Sequence, residues 1–214
     1  MQQFLMIAAA HFLALLSPGP DFFLIARTSL HAGWRIASGA CLGIAAANGV
    51  FIAAAFAGTA ALRPDSAWFA ALQLAGCGYL LYLGVLFIRH AGAGGLGGTL
   101  APPGREMRPG PHPAAAWRRA AGMGLLSAIL NPKNALFYAS LAAMLGPQAA
   151  SGWKMVYGVW MFSVVLLWDV LVAALIGSPA VLRRFERALP WLERASGAML
   201  ILLGAGVTVF MLAR

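Results

Sequence analysis

Charge is scarce in this sequence. Of its 214 residues only 6 are acidic and 15 are Lys or Arg, so charged side chains make up 10% of the chain. A globular protein carries roughly 25%. A soluble domain needs a polar exterior, and 61% hydrophobic residues with a mean hydropathy of +0.80 leave too little to build one. Disordered, collagen-like and nucleic-acid-binding classes fall out at the same step. Cysteine is nearly absent too: Cys41 and Cys77 both fall inside apolar runs. Two such residues make neither a disulfide framework nor a metal cluster, and they read as packing residues. Period-2 alternation is also missing from the long runs rich in Ala and Leu, which argues against strands. What remains is an all-α, polytopic membrane protein.

A transmembrane helix needs about 20 apolar residues. Six runs qualify, near 4–29, 36–62, 67–89, 118–146, 153–177 and 190–212, the first and fourth long but interrupted. The N-terminus has no Lys/Arg-rich stretch of the kind that opens a secretory signal, so the first run is expected to be a retained helix. The connections are short except for 91–117, whose Gly/Pro content and charges make it a flexible loop between two three-helix halves, 1–90 and 118–214. The chain 1–214 thus reads as a single membrane domain.

The net charge of +9 would suggest nucleic acid in a soluble chain. Here it follows from the enrichment of basic residues in cytoplasmic loops. With six spans one face receives Arg27, Arg35, Arg89, Arg105, Arg108, Arg118, Arg119, Arg183, Arg184, Arg187 and Arg194, and the other only Arg63, Lys154 and Arg214. The basic face is expected to be cytoplasmic, which puts both termini outside the cytoplasm and the Gly/Pro loop inside.

The halves echo each other. SPGPD at 17–21 interrupts the first run and NPKN at 131–134 the fourth; Pro20 and Pro132 are 112 positions apart. Gly33-Trp34 recurs as Gly152-Trp153 at an offset of 119. Asn48 then falls on Asp169, and Gly76 on Gly197, both at 121. An odd number of spans per half inverts the second half in the membrane. Inverted repeats with matching broken helices mark secondary transporters, whose substrate sites lie near the midplane. A structural pseudo-repeat is the alternative.

Pro18 and Pro20 lack a backbone donor and must disrupt their helix, with Gly19 adding backbone freedom between them. Broken backbone in lipid has to face protein or a water-filled cavity. A half-helix beginning near Asp21 points its N-terminal amides at that cavity, where Ser17 could cap them. Asn131 could cap the second half-helix, with Pro132 in its first turn. Amide dipoles suit a carboxylate and loose carbonyls an ammonium or another cation, so a zwitterionic amino acid matches such a site. A kink that only shapes the bundle is the bland alternative.

Asp21, Lys133 and Asp169 are the candidate charges within the membrane, where each costs at least ~2.5–3.5 kcal/mol unless paired or functional. Asp21 and Lys133 could pair across the two breaks, as a static bridge or as part of the site. Asp169 lies on the fifth span, and a carboxylate held away from water could carry a coupling proton; an interfacial position near the helix end is the alternative. His11 reads as a packed or hydrogen-bonded histidine, and His31, His90 and His112 as loop residues. Gln73 and Tyr79 could line a cavity or serve packing. Gly39, Gly43 and the run Gly76-Cys77-Gly78 suit close helix approach. Trp34, Trp68, Trp117, Trp153 and Trp191 cluster at segment ends as an aromatic belt.

LLSPGPDFFLIARTSLHAGWRIASGACLGIAAANGV, GCGYLLYLGVLFIR and GLLSAILNPKNALFYASL resemble the first two, the third and the fourth helices of the lysine exporter / homoserine–threonine resistance family of amino-acid exporters. The resemblance covers most of both halves; the fifth and sixth helices match loosely. It implies a six-helix exporter of amino acids or close derivatives in the bacterial inner membrane, driven by antiport of protons, often dimeric, with no cofactor and no enzymatic role. Carried onto this chain, the motif positions are Pro18, Gly19, Pro20 and Asp21 with Asn131, Pro132 and Lys133. Ser17, Asn48 and Asn134 join them as candidate substrate-binding residues, and Asp21 and Asp169 as candidate proton carriers. Asn48 departs from the acidic or otherwise polar residue expected there in many relatives. A metal or inorganic-cation exporter of the same superfamily is the second reading, although such cargo wants clustered His, Cys or carboxylates. An intramembrane enzyme is the third; no Ser/His/Asp set, paired-His motif or cofactor fingerprint is present. A purely structural membrane subunit is the fourth, and it would not need paired proline breaks with embedded charges.

Overall fold

In lipid a backbone must satisfy its own polar groups, and a helix does so within one segment. All regular structure described by the computed structural model is helical; it covers residues 2–16, 19–60, 66–92, 112–145, 151–176 and 179–212. The order is α1 Gln2–Leu16, α2 Pro20–Ala32, α3 Trp34–Ala60, α4 Ala67–Arg89, α5 Pro113–Ile129, α6 Pro132–Leu145, α7 Ser151–Ile176 and α8 Pro179–Leu212. Four of these helices open on proline, Pro20, Pro113, Pro132 and Pro179, where the missing N–H is no loss. Ser66 caps α4 by accepting from the Phe69 amide at 3.1 Å. Gly33 turns α2 into α3 at φ +83°, a conformation that favours glycine.

Four stretches are long and apolar enough to cross a membrane: Trp34–Thr59, Ala67–Arg89, Gly152–Ile176 and Arg187–Val209. The bent pair α1–α2, with 53° between its halves, makes a fifth if it is one span. The expected fourth run forms α5 and α6, of 17 and 14 residues, separated at Leu130 and Asn131. Neither is long enough to qualify alone. The chain is therefore a multi-pass membrane protein. Of the Gly/Pro loop, 93–111 lies outside the described residues, and 113–117 already belongs to α5. The last helix starts at Pro179, earlier than the apolar run, and continues through Pro190.

Glycine sets how closely the helices approach. α3 packs chiefly on α5, and there a Cβ on Gly43 would stand 2.0 Å from the Ala121 carbonyl, one on Gly124 2.2 Å from the Ala40 carbonyl, and one on Gly39 2.4 Å from that of Trp117. No side chain fits, so the backbones touch. Gly84 and Gly197 meet in the same way between α4 and α8. Gly76, which the sequence offset of 121 pairs with Gly197, backs instead onto Ser140 of α6. The indole of Trp117 donates to Ser38 Oγ at 3.0 Å and so fastens α5 to α3, whereas Trp34, Trp68 and Trp153 are exposed at or near helix starts; Trp191, expected at a segment end, is exposed well inside α8. Cys41 and Cys77 are free and buried.

The apolar core is divided in two. One cluster joins Ile7, Ala10 and Ala14 of α1 to Ile52, Leu80, Leu83, Phe137, Leu141, Met161 and Leu200. The other joins Phe22, Ile25 and Ala26 of α2 to Ala37, Cys41, Ile44, Ala128, Val165 and Val172. Each half of the broken first helix belongs to a different cluster, and the break falls between them.

Candidate functional site

Between the clusters lies a cavity of about 610 Å³, counting its mouth. α1 contributes His11, Ala14 and Leu15; Gly19, Asp21 and Phe22 come from the first break; α3 gives Ile44 and Asn48. Asn131, Lys133, Asn134, Phe137 and Tyr138 come from the second break and α6, and Val165, Trp168 and Asp169 from α7. Six residues singled out in the sequence thus line one space: Gly19, Asp21, Asn48, Asn131, Lys133 and Asn134. Asp169 is a seventh, well inside its helix and 8% exposed. Ser17 and Pro18 lie outside the described residues. Pro20 and Pro132 open their half-helices and are exposed rather than lining the cavity.

The two breaks are built differently. At the first, Gly19 itself occupies the N-cap position of α2, where Ser17 was expected. Its φ of −134° and ψ of −171° are extended backbone open to any residue, so conformational freedom is not what requires glycine there. Space does not require it either, since a Cβ would sit 3.8 Å from Lys133 Nζ, an ordinary van der Waals contact. The amides of Asp21 and Phe22 lie in the first turn, where no acceptor exists within the helix. At the second break the Asn131 side chain accepts from the Lys133 amide at 3.1 Å, the capping expected of it.

Asp21 fastens the breaks together. Its Oδ1 accepts from Ser127 Oγ at 2.8 Å, and its Oδ2 from Asn134 Nδ2 at 2.8 Å and, more distantly, from Asn131 Nδ2 at 3.5 Å. Lys133 reaches the same cavity with its ammonium 4.8 Å from the centre of the Phe87 ring, a cation–π distance. Two N-terminal half-helix ends, a lysine and a hydrogen-bonded carboxylate therefore converge on one space.

Asn48 of α3 and Asp169 of α7 also line the cavity. Asn48, 4% exposed, donates to the Ile44 carbonyl at 3.0 Å within α3. Asp169 Oδ2 is buried with no hydrogen-bond partner among the described residues. His11, fully buried, lies with Nε2 3.1 Å from the Tyr138 hydroxyl and is packed among Phe137, Tyr138 and Trp160. Its Nδ1 also has no partner among the described residues. Gln73 donates to the Ala143 carbonyl at 3.0 Å, and Tyr79 packs on Tyr82; neither lines the cavity.

Reading the sequence left out Ser127, Tyr138 and Trp168. Ser127, Asn131, Asn134 and Tyr138 are spaced four, three and four apart, the interval of one helical face. That pattern would have found Ser127 and Tyr138 from the asparagines.

A multi-pass helical protein whose broken helices meet at a polar cavity has the construction of a transporter. The model of the LysE-type translocator matches residues 12–209, and the chain belongs to that family. The threonine efflux protein of Escherichia coli K12 is 28% identical over 200 residues, 92% of each chain. The threonine efflux protein of Salmonella typhimurium is 27% identical over 213 residues, 93% of this chain and 94% of the relative. No solved structure matches the chain.

Proposed function

We propose that this protein exports a small zwitterionic amino acid across the bacterial inner membrane, by alternating access and in exchange for protons. The observation that carries the proposal is the meeting of both half-helix starts, with Asp21, Lys133 and three asparagines, in one cavity between two apolar clusters. The substrate carboxylate sits against the first-turn amides of α2 and the Lys133 ammonium. Its ammonium faces the cavity carboxylates, and proton movement through Asp21 or Asp169 resets the carrier.

In this reading α1–α2 and α5–α6 each make one broken span. The chain then has six spans in two inverted three-helix repeats, and both termini lie outside the cytoplasm. It works as a carrier and not as an enzyme, and it pairs as a homodimer. The relatives named as threonine efflux proteins make threonine the first substrate to test. A metal exporter is disfavoured because no three His, Cys, Asp or Glu side chains gather at ligating range among the described residues.

The test is uptake into proteoliposomes under an imposed pH gradient, with labelled neutral, basic and acidic amino acids. Saturable, gradient-dependent flux of one class is the expected result. Folded protein that moves no amino acid overturns the proposal.

A further inference from the structure

The cavity holds two carboxylates, and they stand in opposite situations. Asp21 accepts hydrogen bonds from three neutral side chains, Ser127, Asn134 and Asn131, and lies within electrostatic reach of Lys133. Those bonds run from α2 to both sides of the second break, so its oxygens already hold the two breaks together. Asp169 faces the same space from α7, and its Oδ2 has no donor among the described residues. A buried acceptor left without a donor costs about 1–3 kcal/mol, and more if charged. Such an atom is rare in a native protein, and it points to a group that arrives from outside.

The other charged or titratable groups lining the cavity are His11, Asp21, Lys133 and Tyr138. Lys133 lies beside Gly19, at the half-helix starts, and supplies the positive pole there. His11 and Tyr138 bind one another. Asn48, the neutral counterpart of Asp169 in the other half, lines the cavity from α3, which packs directly on α7. The half-helix starts and Lys133 thus suit an anion, and Asp169 on α7 offers an acceptor for a cation.

Resting on the amino-acid reading above, we infer that the Asp169 carboxylate receives the substrate's α-ammonium. Asp21 is then a positioning residue that keeps the two half-helix starts in register for the carboxylate. A substrate bound in this way spans the cavity from Lys133 to Asp169, and an analogue without the amino group leaves Asp169 as it is in the empty protein.

The experiment titrates purified protein with L-threonine and with its 2-hydroxy analogue, which carries a hydroxyl in place of the amino group. If threonine is not moved, the amino acid that the liposome panel transports best and its own 2-hydroxy analogue take their place. Wild-type protein is expected to favour the amino acid by about ten- to a hundredfold, as for hydrogen bonds to a charged group. Asp169→Asn is expected to bind both ligands alike, whereas Asp21→Asn binds both more weakly and keeps the preference. Preference retained in Asp169→Asn, or lost in Asp21→Asn alone, overturns the inference and leaves the exporter reading standing. Should Asp169→Asn not purify as a monodisperse species, Asp169→Ser carries the same two outcomes. Folded wild-type protein that transports no amino acid overturns the exporter reading, and this assignment falls with it.

Discussion

The side-chain amide of Asn134 donates to Asp21 Oδ2 at 2.8 Å, a bond that joins the first turn of α6 to the first turn of α2. The two residues are 113 positions apart in sequence. Each belongs to a half-helix interrupted at proline, so a single contact fixes how the two interruptions face each other. Ser127 adds a second tie from the last turn of α5, at 2.8 Å.

Replacing Asp21 with Asn removes the charge and turns part of the acceptor into a donor facing other donors. The variant is expected to insert in the membrane, to lose about 1–3 kcal/mol of stability, and to export at least about tenfold more slowly. Thermal unfolding in detergent, paired with liposome flux, checks both. A variant with normal pH-driven export would remove Asp21 from the mechanism.

Helix contact gives a matched pair of tests. Gly43→Ala drives a methyl group into the Ala121 carbonyl, while a Cβ on Gly58 meets nothing within 4 Å. Gly43→Ala should cost about 1–3 kcal/mol or more through overpacking. Gly58→Ala should leave unfolding unchanged or raise it slightly, because alanine is the better helix former. Melting temperatures of the two variants side by side decide this.

His11 and Tyr138 call for a double-mutant cycle. Tyr138→Phe leaves the His11 Nε2 buried without its partner and is expected to cost about 1–3 kcal/mol. Once His11→Phe has removed the ring nitrogens, the same Tyr138→Phe change should cost far less. A coupling energy near zero would mean that the 3.1 Å contact contributes nothing.

Lys133→Gln keeps a donor at the α6 start but removes the charge from the anion end of the cavity. Its KM for the exported amino acid should rise by about ten- to a hundredfold. Affinity for an amide derivative lacking the carboxylate should change little. Equal loss for both ligands would assign Lys133 to folding.

Orientation can be read by labelling. Both native cysteines are buried, so they give little background with an impermeant thiol reagent. A cysteine introduced at Thr99, in the Gly/Pro loop, should stay unlabelled in intact cells and react after permeabilisation. The opposite pattern would invert the proposed topology.

Most of the helical content was legible in the sequence because lipid imposes one crude requirement, a long apolar stretch, and α3, α4, α7 and most of α8 meet it. The breaks were legible because proline removes a donor wherever it stands, and Pro20 and Pro132 both open half-helices. The partners of Asp21 were harder to see. Serine and asparagine are common caps and packing residues, and only the 127–131–134–138 interval separates these from others. The start of α8 was missed for a physical reason. Residues 179–189 carry arginines and look like a loop by hydropathy, yet Phe185 stacks on Phe22 at 5.0 Å and Leu189 is buried, so one side of the helix is apolar.

The divided core has a consequence for ions. Protons and small cations cross a protein only where polar groups or water make a continuous path, and here the polar space is flanked by two apolar clusters. One is rich in aromatic rings, with Phe137, Tyr138 and Tyr157; the other is built largely of alanines, with Ala26, Ala37, Ala45, Ala47, Ala128 and Ala173. An ion entering either cluster sheds its water among mostly apolar side chains, at a cost that nothing there offsets.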